Sequence, residues 1–181
     1  KINVIHGIEL SAKVDYGTMH ILGLNIDTYS YDEAICKAKE LIDDGVIGDI
    51  VSAFAKRVGP LPPRIKDVGV SIDLAIHDLD IMNYLFEENV TQVYGTMNSS
   101  FDDSEFEDHA EIMVSFDNES TGIIEVNWLT PYKRRELELT GTDGIITVDY
   151  IKQSIDVYGK FAQDIKINHE EHHLHQRCSQ P

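Results

Sequence analysis

The stretch DLAIHDLDIMNYL, residues 73–85, places ionisable side chains on one stripe of a predicted helix. Asp73, His77 and Asp80 lie at positions i, i+4 and i+7, and Tyr84 continues the line at i+11. An imidazole one helical turn from a carboxylate can exchange protons near neutral pH, because the carboxylate favours the charged imidazole. The spacing therefore predicts a general acid/base pair, His77 with Asp73.

The other side chains of this helix are almost all apolar, and a helix that is apolar nearly all round is normally buried. Ionisable groups on such a helix need a partner or a wet cleft, because burying them alone costs several kcal/mol. Asp78 points to another side of the helix and is left out of the stripe. Two structural alternatives stay open: His77 satisfies an internal polar contact, and Asp73 caps the helix, a favoured N-cap position for Asp.

The elements around this helix predict an α+β fold. YDEAICKAKELIDD repeats apolar residues at helical spacing, and DIVSAFAKRV alternates as a strand does. After the apolar helix the period is two, in the segments VTQVYGTMN, AEIMVSF, GIIEVNW, RRELELTG, GIITVDY, SIDVYG and DIKIN. Strands in close succession favour an open, mainly antiparallel sheet of about seven strands with the helices on one face.

The 181 residues carry a net charge of −17, which disfavours nucleic acid and anionic membrane surfaces as partners. No apolar run approaches the roughly 20 residues of a membrane span. We therefore expect a cytoplasmic protein. The few cations include Arg57, Arg64, Arg134 and Arg135, which could hold a diphosphate if they converge on a cleft, although surface charge is the alternative. The predicted substrate contacts are Arg57, Arg64, Asp80 and Tyr132.

Longer segments resemble the C-terminal domain of the glucose–fructose oxidoreductase/inositol dehydrogenase (Gfo/Idh/MocA) family. They are KAKELIDDGVIGDIV, RVGPLPPRIKDVGVSIDLAIHDLDIMNYLF, EDHAEIMVSFDNESTGIIEVNWLTP and LELTGTDGIITVD, in the family's order. The Gly69…Asp73…His77 arrangement matches the family's second active-site motif. GPLPPRI, EDHAEI and NWLTPYKRR are most similar to members that act on nucleotide sugars.

The resemblance implies a substrate domain of an oxidoreductase that uses NAD or NADP and acts on a sugar or nucleotide sugar. By that resemblance His77 takes the proton from a sugar hydroxyl, and Asp73 orients His77. It also implies a homo-oligomer that forms through the free face of the sheet. A non-catalytic module that serves only for self-association is the alternative from another class.

Two features of the family are missing. No G-x-G-x-x-G turn follows a strand, and a dinucleotide-binding domain needs this turn for close approach to the pyrophosphate. The family's Glu-Lys-Pro motif is absent as well. We therefore expect a truncated or chimeric chain that presents the substrate side without its cofactor half and does not turn over alone.

The ends of the chain predict other origins. HGIELSAKVDYGTMHILGLNID resembles an internal stretch of polymerase-and-histidinol-phosphatase (PHP) phosphoesterases, which would make Glu9 and His20 weak candidates for metal ligands. A metal-dependent phosphoesterase remnant is thus a further alternative, although two ligands do not complete a site. The predicted division is an N-terminal segment of residues 1–30, a domain of residues 31–168 and a His-rich tail of residues 169–181.

Overall fold

The structure, a computed structural model, describes residues 9–14, 17–22, 33–63, 65, 67–100, 105–159 and 165–167. These residues fall in two compact units, which are considered separately. The first contains an antiparallel hairpin of β1 (Glu9–Val14) and β2 (Gly17–Leu22). Two strands are predicted here; most of the first, INVIHGIEL, lies outside the described residues, and β1 begins at its last two residues. The tail of residues 169–181 lies outside the described residues.

The second unit contains two α-helices and the remaining strands. The helices are α1 (Glu33–Asp43) and α2 (Ile76–Phe86), and a π-helical turn (Ser71–Ala75) leads directly into α2. The strands are β3 (Ile50–Pro60), β4 (Val90–Asn98), β5 (His109–Phe116), β6 (Thr121–Asn127), β7 (Leu129–Gly141), β8 (Gly144–Asp149), β9 (Ser154–Gly159) and β10 (Ile165–Ile167).

These strands form one eight-stranded sheet in the order β10-β9-β8-β7-β3-β6-β5-β4. Within it every pairing is antiparallel except that of β3 with β6. The prediction of an α+β fold with a mainly antiparallel sheet is confirmed. The parallel pair arises because α2 and two further strands separate β3 from β6, so the chain returns in the same direction.

The two faces of the sheet differ as the alternation of the strands predicts. One face is built from buried apolar side chains and is covered by the helices; its members include Ala53, Ala55, Ile124, Val126, Leu137, Leu139, Ile146, Val148, Ile155 and Val157. The opposite face, which we call the open face, carries exposed residues such as Phe54 and Ile123. Sheet, helices and core thus make two layers around one apolar interior.

Helix α2 is fixed to the sheet by close packing at its C-terminal half. Phe86 stacks on Phe116 of β5, with ring centroids 4.4 Å apart. Met82 is fully buried above Gly122 of β6, where an added Cβ would lie only 2.5 Å from the Met82 sulfur and 2.8 Å from Val114 Cγ2. Only a glycine leaves room for the helix to approach the sheet this closely.

We expect Gly122→Ala to lower the free energy of unfolding by about 1–3 kcal/mol, because it overpacks the contact between α2 and β6. Urea denaturation followed by circular dichroism measures this change. Gly95→Ala in β4 is the matched control, since its Cβ would meet no atom closer than 3.6 Å. Equal stability of the Gly122→Ala variant and the wild type would mean that the helix is not seated as described.

Candidate functional site

Asp73 and His77 of the predicted stripe lie where the π-helical turn leads into α2, and Asp80 and Tyr84 lie further along α2. In this turn the Ile76 N–H donates to the Ser71 carbonyl, five residues back. Asp73 lies inside the turn and His77 is the second residue of α2. The alternative that Asp73 caps the helix is wrong, because the turn begins at Ser71 and its N-cap position is Val70. Single π turns are frequent at functional sites, since the wider turn reorients side chains.

Glu107, just before β5, supports the start of this turn. Its Oε1 accepts a hydrogen bond from the Ser71 N–H at 3.1 Å, and its carbonyl accepts one from the Val70 N–H at 3.0 Å. Its carboxylate occupies the space beside Gly69, where an added Cβ would lie 2.0 Å from it. Glu107 therefore satisfies free N–H groups at the start of the turn, as an N-cap residue would, although it lies in a distant loop. Gly69 leaves room for its carboxylate.

His77 is exposed at the surface of α2, and its surroundings favour the neutral imidazole. Partial burial lowers the pKa of His77 below its ordinary value, and the cation of Arg57 lowers it further. Asp78 and Asp73 act in the opposite direction, and Arg135 adds a smaller lowering effect. A neutral imidazole at physiological pH is the form that accepts a proton.

The lowered pKa also ties His77 to stability. The unfolded chain binds this proton more readily than the folded chain does. The contribution of His77 to stability is therefore complete above the pKa of an unfolded histidine, and it is lost as the pH falls through the lower pKa of the folded state.

A buried ion pair lies next to His77. Arg57 of β3 donates from Nε to Asp78 Oδ2 at 2.7 Å and from Nη2 to Asp78 Oδ1 at 2.9 Å. Arg57 is 8% exposed and Asp78 is 1% exposed. The Arg57 guanidinium carbon also lies 5.4 Å from the centre of the Tyr150 ring, within range of a cation–π interaction.

Asp78 is not part of the predicted stripe, although its position in the sequence indicates a buried carboxylate. Asp78 shares a helix face with Met82 and Leu85, at i+4 and i+7, both of which are buried. An Asp among such residues needs a buried cation. Arg57 follows Ala53 and Ala55 on the inward face of β3, so it was the matching candidate.

The other predicted contacts fall in different places. Asp80 is half-buried on α2, and Tyr132 is exposed on β7. Arg135 is the cross-strand neighbour of Arg57, whereas Arg134 forms an ion pair with Glu136 at 2.7 Å. Arg64 lies outside the described residues. Of the residues named in the sequence, Arg57, Asp73 and Arg135 therefore lie close enough to His77 to influence its pKa.

A depression of about 360 Å³ lies on the open face and is lined by residues of β3, β7, β8 and β9. The three cations that line it each form an ion pair, Lys152 with Asp149 at 2.7 Å, Lys56 with Glu125 at 2.6 Å and Arg134 with Glu136 at 2.7 Å. Cations that are already paired with carboxylates offer little free charge to an anionic ligand. We therefore place the candidate site at His77 on the other side of the sheet.

The described part of the chain also bears on a metal site and on a membrane span. It holds no group of three or more His, Cys, Asp or Glu side chains arranged to bind a metal ion. The side chains of Glu9 and His20 are not among those described, so their role as ligands stays a prediction. No helix among the described residues is long and apolar enough to cross a membrane.

Comparisons with known proteins agree with the fold. Residues 35–147 match the model of the GFO/IDH/MocA C-terminal domain. A scyllo-inositol 2-dehydrogenase (NAD(+)) of Bacillus subtilis is 30% identical over 131 residues, which cover 67% of this chain and 38% of that protein. A myo-inositol 2-dehydrogenase of Thermotoga maritima is 24% identical over 133 residues, which cover 68% and 40%. The chain thus spans about two fifths of the length of these relatives.

Solved structures show the same fold. A UDP-N-acetylglucosamine 3-dehydrogenase from Acidithiobacillus ferrooxidans matches with a TM-score of 0.64 at 19% identity, over 75% of this chain and 45% of that chain. Levoglucosan dehydrogenase in complex with NADH and L-sorbose matches with a TM-score of 0.66 at 21% identity, over 75% and 43%.

The resemblance of the first 30 residues to PHP phosphoesterases is not supported, because the matched region begins at residue 35. The match to the C-terminal domain covers more than half of the chain and includes β3, the π-helical turn and α2 with His77. The chain therefore belongs to the Gfo/Idh/MocA oxidoreductase family and contains its C-terminal domain.

Proposed function

We propose that this chain supplies the substrate-binding and acid/base part of a sugar oxidoreductase, with His77 as the group that accepts the proton. Oxidation of a sugar alcohol removes a proton from the hydroxyl oxygen and a hydride from the carbon that bears it. His77 takes the proton, and Asp73, one turn before it, orients the imidazole and stabilises its charged form. The observation that carries this proposal is an exposed imidazole whose lowered pKa keeps it neutral.

The relatives support a sugar or sugar-like alcohol as the substrate. Their names give scyllo-inositol, myo-inositol, levoglucosan and UDP-N-acetylglucosamine as the compounds on which those proteins act. All four carry secondary hydroxyl groups on a six-membered ring. Such a ring offers several hydroxyls to the polar residues Asp73, His77 and Asp80, and we propose these three, with Tyr132, as the contacts.

The hydride acceptor in the relatives is a nicotinamide, named NAD(+) for the Bacillus subtilis enzyme. The described residues do not fit a dinucleotide, because β3–β6 is the single parallel pair among them and a dinucleotide-binding fold is built from several parallel strands. The sequence also contains no two glycines separated by a single residue. We therefore assign to this chain the proton and the sugar, and not the hydride acceptor.

Titration calorimetry with scyllo-inositol, myo-inositol, levoglucosan and UDP-N-acetylglucosamine tests the proposal. We expect binding of at least one compound, weakened about 2- to 10-fold in His77→Gln, the range for losing one hydrogen bond. Asn83→Ala is the control, because Asn83 is exposed on the same helix but away from the stripe. Binding that is identical in the wild type and His77→Gln would contradict the assignment of His77.

We also propose that the open face joins two copies of the chain. Tyr94, Met113, Ile123 and Phe54 are successive cross-strand neighbours in β4, β5, β6 and β3, and each is at least 40% exposed. Monomeric proteins seldom leave such a row of large apolar side chains in water. This observation equally favours the second candidate function, a module that only self-associates. If the wild type shows no sugar binding that depends on His77, the self-association module is the function that the observations favour.

A further inference from the structure

The ion pair between Arg57 and Asp78 carries a desolvation cost, because both charges are buried at positions that apolar residues could fill. Both side chains are more than nine-tenths buried, and their neighbours on the same faces are apolar: Ala53 and Ala55 on β3, and Met82 on α2. Replacing a buried ion pair with packed apolar residues is often neutral or stabilising. Stability alone therefore does not explain why this pair is charged.

The position of Arg57 adds a second cost. Its cross-strand neighbour in β7 is Arg135, and like charges directly opposite one another destabilise a sheet. Asp78 offsets this repulsion through two hydrogen bonds to the guanidinium, at 2.7 and 2.9 Å. The result is a cation held in one orientation, since two parallel bonds and the Tyr150 ring restrict its rotation.

This fixed cation acts on His77, the residue just before Asp78. The charged groups that act on the imidazole are Asp73 and Asp78 from its own helical segment, Arg57 from β3 and Arg135 from β7. The two aspartates favour the imidazolium, and the two arginines disfavour it. Burial lowers the pKa of His77 most, and Arg57 is the charged group that lowers it most, against the raising effect of the two aspartates.

We propose that Arg57 is a positioning residue for His77: anchored by two hydrogen bonds to Asp78, its guanidinium fixes the helical turn that carries the imidazole and holds a cation beside that turn. This inference rests on the proposed role of His77 as the base. It gives Arg57 a function other than contact with a substrate phosphate. It also explains why the buried carboxylate immediately follows the base in the sequence, since one turn of helix then holds both the base and the anchor of the cation.

The test is the titration of His77 by NMR in the absence of any sugar, using the imidazole Cε1–Hε1 signal assigned by its loss in His77→Gln. We expect the pKa of His77 to rise in Arg57→Gln, because a lowering charge is removed, and to fall in Asp78→Asn, because a raising charge is removed. The double variant, which removes both charges, should return the pKa towards that of the wild type. Arg57→Lys, which keeps the charge, should change it least.

A role confined to holding the fold predicts a different pattern. In that case both single variants would shift the pKa of His77 in the same direction or not at all, and either result would overturn the inference. If Arg57→Gln does not fold, Asp78→Asn and the double variant still give the opposing comparison. The sugar response of wild-type His77 is a separate measurement, so failure of this inference is distinguishable from failure of the proposed function.

Discussion

Replacing Arg57 with methionine is expected to lower the free energy of unfolding by about 3–5 kcal/mol, because the Asp78 carboxylate is left buried without its cation. Asp78 is 1% exposed, so water cannot take over the role of the guanidinium. Loss of the contact between Arg57 and Tyr150 adds to the effect. Urea denaturation followed by circular dichroism gives the change in the midpoint and in the free energy.

Two controls separate the unpaired charge from lost packing. The double variant Arg57→Met/Asp78→Leu removes both charges and should be close to the wild type in stability. Arg134→Met breaks an ion pair on the surface, with Glu136 at 2.7 Å, and should cost no more than about 1 kcal/mol. If Arg57→Met is as mild as Arg134→Met, the pair is not the buried anchor that the structure describes.

The second large effect is expected at the open face. We expect the double variant Phe54→Glu/Ile123→Glu to weaken self-association by at least about 100-fold, because unpaired carboxylates buried in an interface cost several kcal/mol. The two residues are direct neighbours across β3 and β6, so the variant places two adjacent charges within the apolar row, at its β3 end. Sedimentation velocity over a range of protein concentrations measures the association.

The matched control is Leu61→Glu/Ile151→Glu, which adds the same charge at two exposed apolar residues outside the strands. It should associate as the wild type does, since the chain already carries −17 and two further charges at a distance change the repulsion little. A wild type that stays monomeric at every concentration would contradict the proposed interface. Equal weakening in both double variants would show that net charge alone is responsible.

The periodicity of the sequence was sufficient to find most elements of the main domain. VTQVYGTMN matches β4 residue for residue, and β5, β6, β8 and β9 begin or end within one residue of their predicted segments. Alternation is a local property, and these strands have one buried face that imposes it. In the hairpin, β1 extends four residues beyond the predicted segment INVIHGIEL, most of which lies outside the described residues.

Non-local features were not predictable in the same way. The central place of β3 and its parallel pairing with β6 depend on which strands meet after the chain folds, and no local pattern encodes this. The π-helical turn depends on Glu107, a residue 36 positions away from Ser71. The partner of Asp78 was likewise hidden, since Arg57 lies 21 positions earlier on a strand.

Only the part of the candidate site that lies on one helix could therefore be predicted from the sequence. The spacing of Asp73 and His77 predicted a base and a carboxylate near it, and this assignment stays a proposal. The two cations that lower the pKa of His77, Arg57 and Arg135, come from β3 and β7, and a helical stripe cannot reveal them. Sequence reasoning also assigned Arg57 to the substrate because arginines are rare in this acidic chain, whereas its burial and its bonds to Asp78 favour an internal role.

The most direct test of the whole account follows the NMR signals of His77 while scyllo-inositol, levoglucosan or UDP-N-acetylglucosamine is added. We expect that one of these compounds changes both the chemical shift and the pKa of His77, and that the response is lost in Asp73→Asn. If no compound changes either quantity in the wild type, the His77 surface is not a sugar-binding site. The domain would then serve assembly through the open face, and not oxidation.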